Sequence, residues 1–192
     1  DELVRIERIG ERLNLRPKVA LRVNLAVEGL QQWSRFGLNL ESGQAREAAV
    51  RIVSGGKMDL VGLHCHIGTF ILEPSACGMA TTKIVQLANE LRSSLGIKLS
   101  FLDMGGGFAS RNTLAAQYLP GDQVTPSFER YAEAICDALT GLDCPPQELP
   151  TLVLESGRAL VDEAGYLISS VAATKRLPDG RRGLVLDAGV NL

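Results

Sequence analysis

Residues 60–69 read Leu60-Val61-Gly62-Leu63-His64-Cys65-His66-Ile67-Gly68-Thr69. The run Leu60–Ile67 reads as a strand, and it ends on His66-Ile67-Gly68-Thr69. Pro74 then opens a helical pattern that runs to about Leu95 and is ended by Gly96. A strand followed by a helix is one βα unit, and the same order recurs on both sides. Upstream, Asp1–Leu13 carries Leu3, Ile6 and Ile9 at helical spacing and precedes a strand over Lys18–Asn24. Leu40–Val53 is again helical, with Ala48, Ala49 and Ile52 on one side, and Ser54-Gly55-Gly56 stops it. Downstream, Leu99–Asp103 reads as the third strand, Ser127–Leu142 as the fourth helix and Thr151–Glu155 as the fourth strand. Apolar runs bounded by Gly and Pro and separated by helical patterns predict βαβ units and a parallel sheet.

After Arg158 the pattern changes. Tyr166–Lys175 alternates loosely, Leu177-Pro178-Asp179-Gly180 is a turn signal, and Gly183–Asp187 is another strand. Residues 1–164 therefore read as one α/β domain and residues 165–192 as the start of an antiparallel β domain. The stop at Asn191-Leu192, just after a strand, reads as truncation. Asp1-Glu2-Leu3-Val4-Arg5 has neither the charge order nor the apolar run of a signal peptide.

Composition narrows the partners. The 192 residues carry 20 basic and 22 acidic side chains, a net charge of −2. That balance leaves no electrostatic footprint for nucleic acid and no basic cluster for a membrane surface. The longest apolar runs, such as Leu60–Leu63 and Leu152–Leu154, are far too short to span a bilayer. The four cysteines (Cys65, Cys77, Cys136, Cys144) lack any C-x-x-C spacing. Neither a disulfide framework nor a zinc site is predicted, and a reduced, cytoplasmic protein is.

Every unusual cluster lies at the C-terminal end of a predicted strand, the edge where parallel α/β folds bind ligands. On the second strand, alternation puts His64 and His66 on one face and Cys65 on the other. Two histidines could start a metal site, but the chain has only these two, and a hydrolytic metal usually needs more nitrogen ligands. No metal is predicted. His66, nearest the strand end, either lies against a planar ligand or is a hydrogen-bonded core histidine. Gly105, Gly106 and Gly107 remove every side chain where the third strand turns, so their N–H groups could approach an anion. Glu155-Ser156-Gly157-Arg158 places an acid, a glycine and a fixed cation at the fourth strand end. These suit a protonated ring nitrogen and a phosphate, or a simple Glu–Arg pair at the rim. Arg22 either lines the pocket or reaches solvent, and the role of Asp187 is not legible from spacing.

Taken in order, these segments resemble the barrel-type pyridoxal-phosphate decarboxylases that act on diaminopimelate, ornithine or arginine, related in fold to alanine racemase. The resemblance rests on Leu21-Arg22-Val23-Asn24, Ser34-Arg35-Phe36-Gly37, Gly62–Thr69, Leu102–Phe108, Glu155–Arg158 and Leu186–Asn191. It implies the last four strands of a (β/α)8 TIM-type barrel followed by the start of a C-terminal β domain. It also implies pyridoxal 5'-phosphate as cofactor. His66 would stack on its ring and Glu155 would pair with the ring nitrogen. Thr69 would lie near the phosphate, and Gly107, Gly157 and Arg158 would hold it, with Gly105 and Gly106 in the same cradle. Asp187 resembles an acid that serves the substrate pocket.

Two departures stand out. Ser156 replaces the usual proline after the glutamate, a variant that arginine decarboxylases share. The family's Schiff-base lysine has no counterpart among the five lysines, Lys18, Lys57, Lys83, Lys98 and Lys175. The resemblance thus implies decarboxylation of a basic or diamino acid by a longer polypeptide, with this chain inactive alone. The implied partners are an amino-acid substrate and either a second copy, as a homodimer, or the remainder of the same polypeptide. The alternatives are a racemase of the same fold, a lysine-free module that binds the cofactor without catalysis, and a metal-dependent hydrolase using His64 and His66.

Overall fold

The computed structural model describes residues 2–112, 119–162 and 164–189. Asp1 of the first expected helix, and Val190 and Asn191 of the last expected motif, lie outside them. The chain divides into two compact units, Asp1–Leu160 and Val161–Leu192.

In the first unit helix α1 (Glu2–Leu13) is followed by strand β1 (Lys18–Asn24), strand β2 (Leu38–Asn39), helix α2 (Gln44–Gly55) and strand β3 (Asp59–Cys65). Helix α3 (Pro74–Leu95), strand β4 (Phe101–Gly106), helices α4 (Gly121–Val124) and α5 (Phe128–Leu139) and strand β5 (Thr151–Glu155) complete it, and the boundary between the units falls within helix α6 (Arg158–Val161). All five strands are parallel, in the order β2-β1-β3-β4-β5. The sequence predicts four strands; the extra one, β2, is a two-residue pairing of Leu38 and Asn39 with Val23 and Asn24. Two residues are too few to show a periodicity. Their approach depends on Gly37, at φ 78°, where a Cβ would come within 2.7 Å of the Arg22 carbonyl oxygen.

Helix α2 starts later than its apolar pattern suggests. The Asn39 side-chain oxygen accepts the Ser42 N–H at 2.7 Å, and Gly43 sits at φ 83°, so the backbone turns before it can wind. Helix α3 has the ends that the sequence predicts. Pro74 stands at its first position, and Gly96, at φ 67°, donates its N–H to the carbonyls of Leu91 and Arg92.

Alternation along the strands sorts two faces. Leu21, Val23, Leu63, Cys65, Leu102 and Met104 are buried, and they share one core with Ala49 and Ile52 of α2, Ile84 and Leu91 of α3 and Ile135 of α5. Each large apolar side chain so buried contributes about 1.5–3 kcal/mol. On the opposite face the register lines up Arg22 with His64, His64 with Asp103, and Asp103 with Val153. Polar side chains therefore form a row across the sheet.

In the second unit, strands β6 (Val171–Arg176) and β7 (Arg182–Leu186) pair antiparallel. Gly180, at φ 82°, makes the turn, and Asp179 accepts the Arg181 N–H. Val171, Leu184, Val185 and Leu186 are exposed, because a two-stranded ribbon has no interior of its own. No described helix is long and apolar enough to cross a membrane.

Candidate functional site

The site forms at the C-terminal ends of β3, β4 and β5. Cross-strand neighbours place His64, Asp103 and Glu155 together, their ligand atoms within 4.8 Å of one another. His64 Nε2 lies 3.7 Å from Glu155 Oε1, and His66 Nδ1 lies 3.9 Å from Glu155 Oε2. Both imidazoles are largely covered, while the Glu155 side chain is about half exposed, at 52%. The carboxylate is thus open to a ligand and flanked by two rings.

The state of His66 follows from its partners. Gly106 N–H donates to its Nδ1 at 3.3 Å, so that nitrogen carries the lone pair and Nε2 carries the proton. Burial, and then the Arg22 charge, hold the ring below its ordinary value of 6.5. A neutral His66 makes no ion pair with Glu155. It presents a flat face instead, with the Trp33 ring 5.4 Å away, centroid to centroid.

The unfolded chain protonates His66 near the ordinary value, whereas the folded chain resists to lower pH. The contribution is therefore complete above about pH 6.5 and is lost as pH falls through the depressed folded value. The urea midpoint should drop between about pH 7.5 and about pH 5.5, and His66→Gln should flatten that drop. An unaltered pH dependence in the variant would assign the effect to another group.

The three glycines are brought to the site, but two have their N–H groups engaged. Gly105 N–H donates to Asp103 Oδ1 at 2.9 Å, and that of Gly106 is held by His66. Gly105 and Gly106 lie inside β4 rather than in a turn after it. A Cβ at Gly105 would strike the Cys65 carbonyl oxygen, one at Gly106 that of Glu155, and one at Gly107 that of Gly68. Close packing of β4 against β3 and β5 accounts for Gly105 and Gly106, whereas Gly107, just after β4, lies against the Gly68 carbonyl in the loop after β3. Gly157, at φ 53°, differs: a Cβ there would meet nothing closer than 3.7 Å, so its backbone borders open space. Thr69 and Arg158 are exposed beside the same strand ends.

Arg22 is exposed on the polar face, its guanidinium carbon 5.1 Å from the Phe36 ring, as is that of Arg35. Cys65 faces the helices at 1% exposure, and burial first, then Asp103, push its thiol up to about 12. It is a core residue. Asp187 belongs to the second unit, where its carboxylate accepts the Ser169 hydroxyl and the Ser170 N–H, both at 2.8 Å. Of the lysines, Lys18 opens β1, Lys57 and Lys98 precede β3 and β4, and Lys83 on α3 is bonded to Glu41 and the Ala26 carbonyl. None of these four stands at the C-terminal strand ends.

Sequence reasoning passed over Tyr131, Phe70 and Trp33. Tyr131 on α5 donates its hydroxyl to the Ile71 carbonyl and so ties the loop after β3 to a helix far along the chain. Trp33 is the chain's single tryptophan, which was a signal available from composition.

The arrangement can hold a planar, anionic heterocycle. It offers a neutral imidazole for the ring face, a carboxylate for a protonated ring nitrogen, and an open backbone turn with a guanidinium for a phosphate. The donor set thus fits pyridoxal phosphate.

Comparison with known proteins agrees. The model of the pyridoxal-dependent decarboxylase family's pyridoxal binding domain matches residues 1–162. Diaminopimelate decarboxylase of Bacillus methanolicus is 27% identical over 198 residues, covering 99% of this chain and 44% of that protein. The enzyme of the same name from Methanocaldococcus jannaschii is 32% identical over 199 residues, covering 99% and 43%. The crystal structure of diaminopimelate decarboxylase from M. jannaschii in co-complex with L-lysine superimposes with a TM-score of 0.77 at 30% identity, over 99% of this chain and 43% of that one. The arginine decarboxylase of Paramecium bursaria Chlorella virus, at 22% identity and a TM-score of 0.63, shares the fold. The chain spans less than half the length of these relatives, so its five-stranded sheet is part of a TIM-type barrel. With residues 1–162 matched to its pyridoxal binding domain, the chain belongs to the pyridoxal-dependent decarboxylase family.

Proposed function

We propose that this chain supplies the ring and phosphate contacts for pyridoxal phosphate in a polypeptide that decarboxylates diaminopimelate. The observation that carries the reading is the convergence of His66, Glu155 and Arg158 on one edge of a parallel sheet. The substrate follows the relatives, since the two cited by sequence both bear the name diaminopimelate decarboxylase. When bound, the cofactor supplies an electron-withdrawing ring that takes up the electron pair left as carbon dioxide departs.

The chain's residues have separate tasks. Glu155 holds a proton on the ring nitrogen, with the His64 ring 3.7 Å from its carboxylate. His66 lies flat against the ring, its own proton kept on Nε2 by the Gly106 donor. Arg158, Gly157 and Thr69 take the phosphate, while Gly105 and Gly106 serve mainly to bring the strands together. The amine that anchors the cofactor covalently comes from outside this chain, since none of its five lysines matches the family's. The working protein is a dimer of the longer polypeptide.

Trp33, 5.4 Å from the His66 ring, gives a local test. Pyridoxine 5'-phosphate has the ring and the phosphate but no aldehyde, so it does not label surface lysines. It should quench Trp33 fluorescence saturably. Arg158→Ala should weaken that binding by about tenfold or more, the worth of one charge-assisted hydrogen bond. Pyridoxine without phosphate should bind no better to the wild type than to the variant. No saturable quenching, or equal affinity in Arg158→Ala, would sink the reading. Bound zinc in the purified chain would favour a metal on His64, Asp103 and Glu155 instead.

A further inference from the structure

Phe70 has a φ of 53°. Bulky side chains are seldom found in this left-handed region, and where one persists the surroundings must hold it there. The surroundings here are explicit. On one side Gly68 packs its carbonyl against Gly107. On the other, Ile71 N–H donates to the Gly107 carbonyl at 2.8 Å, and Ile71 C=O accepts the Tyr131 hydroxyl. Gly68 and Ile71 are thus held against Gly107, and the two residues between them, Thr69 and Phe70, span that short link, with Phe70 taking the left-handed turn. Glycine would do so without strain, so the phenyl ring has another use.

That ring faces Arg158. The guanidinium carbon lies 5.9 Å from its centroid, within the range of a cation–π contact. Arg158 begins a four-residue helix, is exposed, and makes no salt bridge among the described residues. A free arginine of that kind samples many rotamers, and ordering it on binding opposes affinity. A ring beneath the guanidinium plane removes part of that freedom and leaves the N–H edge open, since stacking uses the face and not the donors.

We propose that Phe70 is a positioning residue, the shelf that aims the Arg158 guanidinium at the phosphate of the ligand. The proposal rests on the reading that Arg158 binds a phosphate, and the experiment separates the two. Pyridoxine 5'-phosphate and inorganic phosphate are titrated against the wild-type chain, Phe70→Gly, Phe70→Leu, Phe70→Tyr, Arg158→Ala and Phe70→Gly/Arg158→Ala, with urea unfolding of each. Phe70→Gly relieves the strained φ and removes the ring. It should keep or raise the urea midpoint yet weaken both ligands by about threefold to tenfold.

Phe70→Leu, which keeps bulk but has no π-face, should weaken them similarly, and Phe70→Tyr should restore wild-type affinity. Adding Phe70→Gly to Arg158→Ala should cost nothing further, because the shelf acts only through the guanidinium. A ring that is merely structural would lower the midpoint of Phe70→Gly, and that result overturns the proposal. So does wild-type affinity in Phe70→Gly or Phe70→Leu when Arg158→Ala is weakened, which leaves the phosphate reading intact. If Arg158→Ala also binds like wild type, the phosphate reading has failed and the shelf falls with it.

Discussion

Gly106→Ala is expected to unfold the first unit, with a loss of roughly 3 kcal/mol or more. The added Cβ would sit on the backbone carbonyl oxygen of Glu155, its register partner on the neighbouring strand. A flexible side chain could move aside, but a carbonyl in the β4–β5 ladder cannot without breaking that ladder. The measurement is the urea midpoint of the variant against wild type. Gly157→Ala serves as control: the space at its Cβ is open, and only the φ of 53° is strained, for about 1 kcal/mol. Equal midpoints for wild type and Gly106→Ala would show that β4 and β5 are not so closely apposed.

Tyr131→Ala is expected to lower stability by roughly 3–5 kcal/mol, and Tyr131→Phe by about 1–3 kcal/mol. Tyr131 is 2% exposed and packs edge-on against Phe108, ring centroids 5.1 Å apart. Removing the whole side chain opens a cavity. Removing only the hydroxyl strands the Ile71 carbonyl, which accepts from it, and loosens the Ala109 N–H, which donates to it at 3.5 Å. The two variants differ in what they report. Tyr131→Phe keeps the packing, so its effect should concentrate on the loop between β3 and α3. Hydrogen exchange at Ile71 and Phe70 should rise more than exchange in α3. A uniform rise would mean that the hydroxyl stabilises the whole unit and not that loop.

Much of the fold was legible because it rests on local rules. Pro74 and Gly96 bound α3 in the sequence as they do in space, and apolar runs mark β1, β3, β4 and β5. Where local rules compete, the reading slipped. The start of α2 is set by the Asn39 side chain and Gly43, which a count of apolar positions does not see. Strand β2 exists only because Gly37 lets its backbone reach β1. The site divides in the same way. His66, Glu155 and Arg158 are marked by residue type at strand ends, whereas the partners of His64 come from strands 39 and 91 residues further along the chain, at Asp103 and Glu155.

The alternation of strand and helix, the edge on which the polar residues gather and the family whose motifs they match were all readable from the sequence. These follow from periodicity, capping and residue identity, all short in range. Which carbonyls crowd Gly105 and Gly106, which nitrogen of His66 carries the proton and where Phe70 turns left-handed came from the three-dimensional structure. Those depend on which carbonyl, N–H or ring stands opposite, and that is fixed by the register of strands distant in sequence.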